Sequence, residues 1–544
     1  MIAMNKRSLL FAVLLMMCTF AGAQSFGEFV INPQDNAGSF PSGLTVFNGK
    51  LYFSAYNSST GYEPWVTNGN TGRLLTDIFP GAGHSFPQNF TVDSNLLFFQ
   101  ADDGSHGAEL WVTGGDSAQM VKDIYVGQNP SQPQNLFVFN HKLFFQADDG
   151  VHGAELWSSD GTSGGTQLFA DINQTSGDSA ASFPSGFTVY NGKMYFNADD
   201  GVHGYELWGT DGTPNGTGMV KDIWPGAYGS NPSNLTVFNG KLYFSATDSI
   251  NGTELWVSDG TSNGTQLVMD INAGYQSSDP QGFTVYNNQL IFQADDGVHG
   301  AELWSTTGSV TQLLSDMYPG TTGSYPAGFT AYQGKLYFQA TDSIHGNELW
   351  RTDGTNGGTV LFKDINAGVN NSDPFGFTIY HNNLYFIADP DSVSGAQMFI
   401  TDGTAGGTQA VMLEGAPLNP LGATNGFTLY GNSLVFNAYY DTLYGEQLWF
   451  FSDAVAGISN INAQTAFSLY PNPCKDYYNL SGFKIGETYD ITLNDITGRV
   501  LQTQRLQASD KNMQFLTSSL SAGIYLIRVQ NGQDLTTLQL IKGN

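Results

Sequence analysis

The stretch GFTVYNGKMYFNADDGVHGYELWGTDGT, Gly186–Thr213, decides how this chain is read. It opens with two apolar runs on either side of Asn191-Gly192, the strongest short hairpin signal. Asn48-Gly49, Asn239-Gly240, Gln333-Gly334 and Gly431-Asn432 fill the same two-residue gap elsewhere. An acidic turn follows, then a third run, YELWGTDGT. A fourth run closes the unit, as TQLVMDI does at Thr265–Ile271. Four short strands joined this way make one propeller blade.

The tryptophan of that stretch has counterparts along the chain. They fall at Trp65, Trp111, Trp157, Trp208, Trp256, Trp304, Trp350, Phe399 and Trp449, spaced by 46 to 51 residues. A period of this size signals a propeller or a solenoid. Copies without Asp-Gly-Thr after the third run have the 46-residue spacings, so the length changes fall in a turn. The ninth copy degenerates after Trp449. The segment EFVINPQDNAGSFPSG, Glu28–Gly43, reads as a fourth strand plus the following loop, and is expected to pair beside Gln447–Trp449 and close the ring. The expected fold is all-β: one propeller of about nine four-stranded blades, with a β-solenoid as the alternative, followed by a small Ig-like β-sandwich.

The domain reading is a signal peptide over residues 1–23, a repeat propeller over 24–451, a linker over 452–465 and a C-terminal domain over 466–544. The signal peptide rests on Lys6 and Arg7, the apolar run Leu9–Phe20, and the small residues Ala21–Ala23. That run is short for a bilayer span, and no other segment approaches it, so no transmembrane span is expected in the mature chain. Cleavage before Gln24 leaves Cys474 alone, so no internal disulfide is expected.

Net charge is −29, and between residues 24 and 453 the only arginines are Arg73 and Arg351. Phosphate backbones need Lys and Arg, so a nucleic-acid partner is excluded.

The turn ADDGVHGAELW occurs at Ala147–Trp157 and again at Ala294–Trp304. Its histidine recurs as His106, His152, His203, His299 and His345. A catalytic centre needs one constellation, not five copies around a ring. The expectation is therefore scaffold: Asp accepts backbone N–H groups across a tight turn, and His bonds locally. Asp148, Asp149, Asp295 and Asp296 are the weak candidates for a metal, and calcium is kept as an alternative although no D-x-D-x-D-G loop is present. No cofactor is otherwise expected. The glutamate of the ELW segment recurs likewise, and reads as a backbone acceptor or a solvent-facing charge.

The motifs ELWSSDGT (Glu155–Thr162), ELWGTDGT (Glu206–Thr213), ELWVSDGT (Glu254–Thr261) and ELWRTDGT (Glu348–Thr355) resemble the ELWxxDGT repeat family of secreted bacterial proteins. The resemblance implies a propeller-like, surface-exposed module and no particular activity. The tail is similar to a type IX secretion sorting domain of type A. It carries LYPNP (Leu469–Pro473), DITGRVL (Asp495–Leu501), LSAGIYLIRV (Leu520–Val529) and LIKGN (Leu540–Asn544). The motif residues are Pro471, Asn472, Pro473, Gly498, Arg499, Gly523, Tyr525 and Lys542. This resemblance implies passage through the periplasm and the outer-membrane translocon, then anchoring at the cell surface or release.

The leading functional expectation is a non-enzymatic binding or adhesion propeller, with polysaccharide or glycoprotein as ligand. Its candidate residues are Phe79, Tyr125, Trp224 and Tyr318, aromatics beside carboxylates in the loops that join one blade to the next. They are weighed against rings that merely wedge between blades. The alternatives are a surface-structural protein without a small ligand and a propeller glycosidase or lyase. No unique carboxylate pair stands out for the enzyme. The two G-x-S-x-G matches, Gly161–Gly165 and Gly260–Gly264, lie in turns between strands, not at a strand-to-helix elbow.

Overall fold

The short turns fold each repeat into an antiparallel meander in the computed structural model. The first repeat shows why. After β1 (Ser25–Phe29) come β2 (Ser42–Phe47), β3 (Lys50–Asn57), β4 (Gly61–Thr67) and β5 (Gly72–Leu74), paired in the order β2-β3-β4-β5. Asn48 and Gly49 between β2 and β3 both have positive φ, 47° and 71°, as a tight hairpin turn requires. Nine four-stranded sheets of this kind succeed one another along the first unit, Gln24–Asp453. The structure describes residues 25–29, 31, 38–175, 180–413, 416–417, 426–439, 445–452, 468–470, 474–475, 477–481, 483–495, 500–517, 520, 523–531 and 534–542. The expected signal peptide, and the expected linker beyond Ser452, lie outside them.

The second strand of each blade has an unbroken apolar run of at least three residues at its centre because both of its faces are covered there. In β3, Leu51, Phe53 and Ala55 pack against the ninth blade, while Tyr52 packs against the second. The third strand does the same: Trp157 packs toward the second blade and Leu156 toward the fourth. Burying one such tryptophan removes about 150–250 Å² from water, worth several kcal/mol at about 25 cal/mol per Å².

The ninth blade borrows its outer strand. Thr428–Tyr430, Ser433–Tyr439 and Glu446–Ser452 supply three strands, and β1 supplies the fourth. The pairing is antiparallel, with Ser25 opposite Ser452, Glu28 opposite Trp449 and Phe29 opposite Leu448. It thus begins a few residues before the Glu28 expected from sequence. A core of Ile31, Leu51, Phe53, Ala55, Val435 and Leu448 then joins the ninth blade to the first. The Tyr430 hydroxyl donates to the Gly49 carbonyl across this seam at 2.9 Å, as Tyr190 does to Gly240 between the fourth and fifth blades at 2.6 Å. The ring is a closed nine-bladed propeller.

The second unit covers Ala454–Asn544. A three-stranded sheet (Ser468–Tyr470, Tyr477–Ser481, Asn512–Leu516) and a four-stranded one (Thr488–Asp495, Val500–Gln507, Gly523–Asn531, Asp534–Lys542) share one core. Tyr489, Ile491 and Leu493 are buried there, the face that their alternation with polar residues selects. Cys474 is buried and free.

Candidate functional site

The loops after the second and fourth strands of each blade meet on one face of the ring. The glutamate of the third strand fixes them. Glu109 is fully buried and accepts four bonds: from the Ile124 N–H at 3.0 Å, the Tyr125 N–H at 3.3 Å, the Ser131 N–H at 3.1 Å and the Ser131 hydroxyl at 2.6 Å. The Ser131 carbonyl then accepts from the Asp148 N–H of the next blade at 2.9 Å. One carboxylate therefore ties a strand, the connecting loop and the neighbouring blade together. Burial pushes its pKa up to about 7, against the pull of the Ser131 and backbone bonds. Glu63, Glu155, Glu206, Glu254, Glu302 and Glu348 are buried in the same way. Of the two expected roles, backbone acceptor is the one observed; none of these carboxylates faces solvent.

The serine partner was not singled out from sequence, although its signal was there. Ser39, Ser85, Ser131, Ser182, Ser230, Ser278, Ser324 and Ser372 each begin a Ser-x-Pro tripeptide, and each is buried. The middle residues, Phe40, Phe86, Gln132, Phe183, Asn231, Asp279, Tyr325 and Asp373, all have φ between 44° and 50°. A non-glycine residue in that region ahead of proline is strained, and persists only where its surroundings impose it. Here the flanking serine, bonded to the buried glutamate or its equivalent, imposes it.

The acidic turns satisfy themselves. The Asp148 carboxylate accepts from the Gly150 N–H at 2.7 Å. Asp149 accepts from the Val151 and His152 N–H groups, both at 2.9 Å, and its other oxygen holds His152 Nδ1 at 2.8 Å. Asp295 and Asp296 repeat these bonds to Gly297, Val298 and His299. Burial raises the Asp149 carboxyl, but the bonds from His152 and Val151 outweigh it and hold the pKa below the ordinary range. The bond to Asp149 raises that of His152 in turn. Where histidine is missing, Asn251 and Ser394 donate the same bond, to Asp248 and Asp391, at 2.7 Å each.

The four expected aromatic residues occupy one position in the connecting loops. The N–H groups of Phe79, Tyr125, Trp224 and Tyr318 each donate to the buried glutamate of their own blade. The rings differ. Phe79 lies against the turn glycine of the second blade, so that a Cβ on Gly104 would stand 2.5 Å from its ring; Tyr125 lies likewise on Gly150. These two wedge between blades. The next turn after Trp224 carries Ser249 where those after Phe79 and Tyr125 carry glycine, as the turn after Tyr318 carries Ser343, and Trp224 stacks on Tyr228 at 5.4 Å and 24°. Tyr228 is 77% exposed. Half-buried Trp224 and exposed Tyr228 therefore form a stacked ring pair on a pinned loop. In the second unit, Tyr525 is buried and Gly523 opens its strand. Pro471, Asn472, Pro473, Gly498 and Arg499 lie outside the described residues.

Residues 468–543 match the family of secretion system C-terminal sorting domains. The chain thus carries a sorting domain of the type IX system at its C-terminal end, which supports export and attachment at the cell surface. No curated protein matches the chain. Among solved structures, a puromycin hydrolase is similar at 10% identity, with 64% of this chain and 58% of that one covered and a TM-score of 0.33. A puromycin-hydrolyzing peptidase of Mycobacterium tuberculosis is similar at 12% identity, covering 65% and 58%, with a TM-score of 0.34. A structure from a study of two prolyl endopeptidases is similar at 13%, covering 74% and 54%, with a TM-score of 0.34. The chain spans less than two thirds of the length of each of these. Among the described residues, no helix is long and apolar enough to cross a membrane.

Proposed function

We propose that the propeller is a non-enzymatic binding or adhesion module, displayed at the cell surface by type IX export, that takes polysaccharide or glycoprotein on its loop face. The observation that carries this reading is the Trp224–Tyr228 pair. Its loop is anchored through the Trp224 N–H to buried Glu206 at 3.1 Å, so little ordering remains when a sugar ring stacks there. The acidic surface discourages anionic polymers and favours neutral ones.

The test is titration of the full secreted chain against a panel of polysaccharides and host glycoproteins, in calcium and in chelator. Saturable binding that Trp224→Ala weakens supports the reading. Loss in chelator alone would give calcium a part in it. A second reading, a surface-structural protein without a ligand, is favoured by Phe79 and Tyr125, whose rings are spent between blades. Absence of binding across the panel would select it.

A further inference from the structure

We propose that the seam where the ring closes carries a second carbohydrate subsite, formed by Phe40, Tyr56, Tyr62, His84 and Phe86 beside Glu446. The proposal rests on the binding-module reading and gives it a location of its own, away from Trp224.

Blades two to eight fix the turn after their second strand with an aspartate. The first blade does not. Its turn reads AYNSSTGYEPW, Ala55–Trp65, with tyrosines where the others carry Asp or Thr and, most often, Ala. Tyr62 stacks on Phe86 with centroids 5.5 Å apart and planes at 24°. Tyr56 adjoins Tyr62 at 5.3 Å, and His84 adjoins Phe86 at 5.2 Å. The Tyr62 N–H donates to His84 Nδ1 at 3.1 Å, which places the imidazole proton on Nε2 as a donor. Phe40 extends the patch: its N–H bonds the Glu446 carbonyl at 3.3 Å, and the Tyr56 N–H bonds the neighbouring Ser39 carbonyl at 2.7 Å.

Two of these rings are held outward against backbone preference. Phe40 and Phe86 both have φ of 45° and precede a proline, yet they are 44% and 50% exposed. The same φ recurs in every Ser-x-Pro loop, so the strain belongs to the blade design; what sets the seam apart is that one such exposed ring, Phe86, joins Tyr62, Tyr56 and His84 in one cluster. Ser85, bonded to Glu63 at 2.7 Å, and Ser39, bonded to Gln447 at 2.6 Å, hold the two loops in place.

The chemistry selects a neutral sugar. A pyranose ring offers a C–H face to an aromatic ring and a rim of hydroxyls to polar groups. The Tyr62–Phe86 stack supplies the platform, and the phenols, His84 and the Glu446 carboxylate supply partners for the rim. Asn437 Nδ2 orients that carboxylate, donating to Oε1 at 2.6 Å. No lysine or arginine belongs to the patch, so an anionic polymer has no counter-charge there.

The experiment is calorimetric titration of the full secreted chain with cellohexaose, chitohexaose, mannohexaose and polygalacturonate, with gelatin as a polypeptide probe. Wild type is expected to bind a neutral hexasaccharide and not polygalacturonate. Phe86→Ala and Phe86→Leu should weaken that binding by about tenfold, Phe86→Tyr should retain it, and Trp224→Ala should leave the seam site intact. Phe86→Leu keeps the bulk without the flat face, and a thermal melt shows that each variant is folded. Binding removed by Trp224→Ala but untouched in both Phe86 variants overturns this subsite while the module reading survives. Binding to gelatin alone overturns the sugar class. Wild type that binds no probe overturns both.

Discussion

Seven blades carry a buried glutamate on the third strand, and the last two carry a glutamine, Gln397 and Gln447. The glutamate is an acceptor with two oxygens, and at Glu109 it takes four donors. Gln447 accepts from the Ser39 hydroxyl at 2.6 Å and from the Ile31 N–H at 3.5 Å, through one amide oxygen. A neutral amide costs less to bury, and it offers one acceptor oxygen where the carboxylate offers two. The junction it serves is the one that joins the two ends of the ring. The seam therefore depends on what the other junctions lack, the pairing of β1 with Glu446–Ser452.

This contrast can be broken from its strongest side first. Removing residues 25–29 strips the ninth blade of its outer strand and exposes an edge. The ring is expected to lose several kcal/mol and to self-associate, read by thermal melting and size-exclusion chromatography. An unchanged melt would mean that β1 is not the latch. Next, Glu109→Ala strands four buried donors and should cost about 3–5 kcal/mol. Glu109→Gln, which turns a strong junction into one of the seam type, should cost about 1–2 kcal/mol by denaturant unfolding. Equal losses would show that the amide replaces none of the carboxylate's bonds, and no loss in Glu109→Gln would show that charge adds nothing to these junctions.

The third effect is of pH. Burial raises Glu63, Glu109, Glu155, Glu302 and Glu348 to about 7 in the fold, against an ordinary 4.5. The Asp bonds raise His106, His152, His203, His299 and His345 above 6.5. In both sets the folded chain binds more protons than the unfolded chain near neutrality. Stability should therefore rise as pH falls from 8 to 5, and Tm by a few degrees with it. A Tm that falls over that window would refute the sign. The paired Asp149 is lowered, so its contribution is lost only below its ordinary 3.8. The smallest change is His152→Ala, which removes the bond to Asp149 and should cost about 0.5–1.5 kcal/mol, while His152→Asn should keep it as Asn251 does. Calorimetric melts of the pair decide this.

The spacing of Trp65 to Trp449 and the Asn-Gly turns made the blades readable, because hairpin turns and alternating faces are local properties of a chain. Closure by the segment around Glu28 was readable too, since the ninth copy lacks a fourth strand. The candidate site was read only in part. Trp224 stood out as the one tryptophan outside the ELW position, and in the fold it stacks, half-buried, on exposed Tyr228. Phe79 and Tyr125 looked alike in sequence, but the next blade's Gly104 and Gly150 take up their rings. Tyr56, Tyr62, His84 and Phe86 are spread over two loops, and nothing local marks them as neighbours.

The sequence by itself determined the all-β repeat, the number of blades, the strand that closes the ring and the sorting domain behind it. Each rests on short-range pattern, on register or on a motif. Only the tertiary structure decided that the repeated glutamates are buried, that serines before Phe40 and Phe86 lock strained rings toward solvent, and that the seam gathers aromatic side chains. Burial on both faces of a strand, and contact between loops of adjacent blades, depend on where the neighbouring blade stands, which no single repeat specifies.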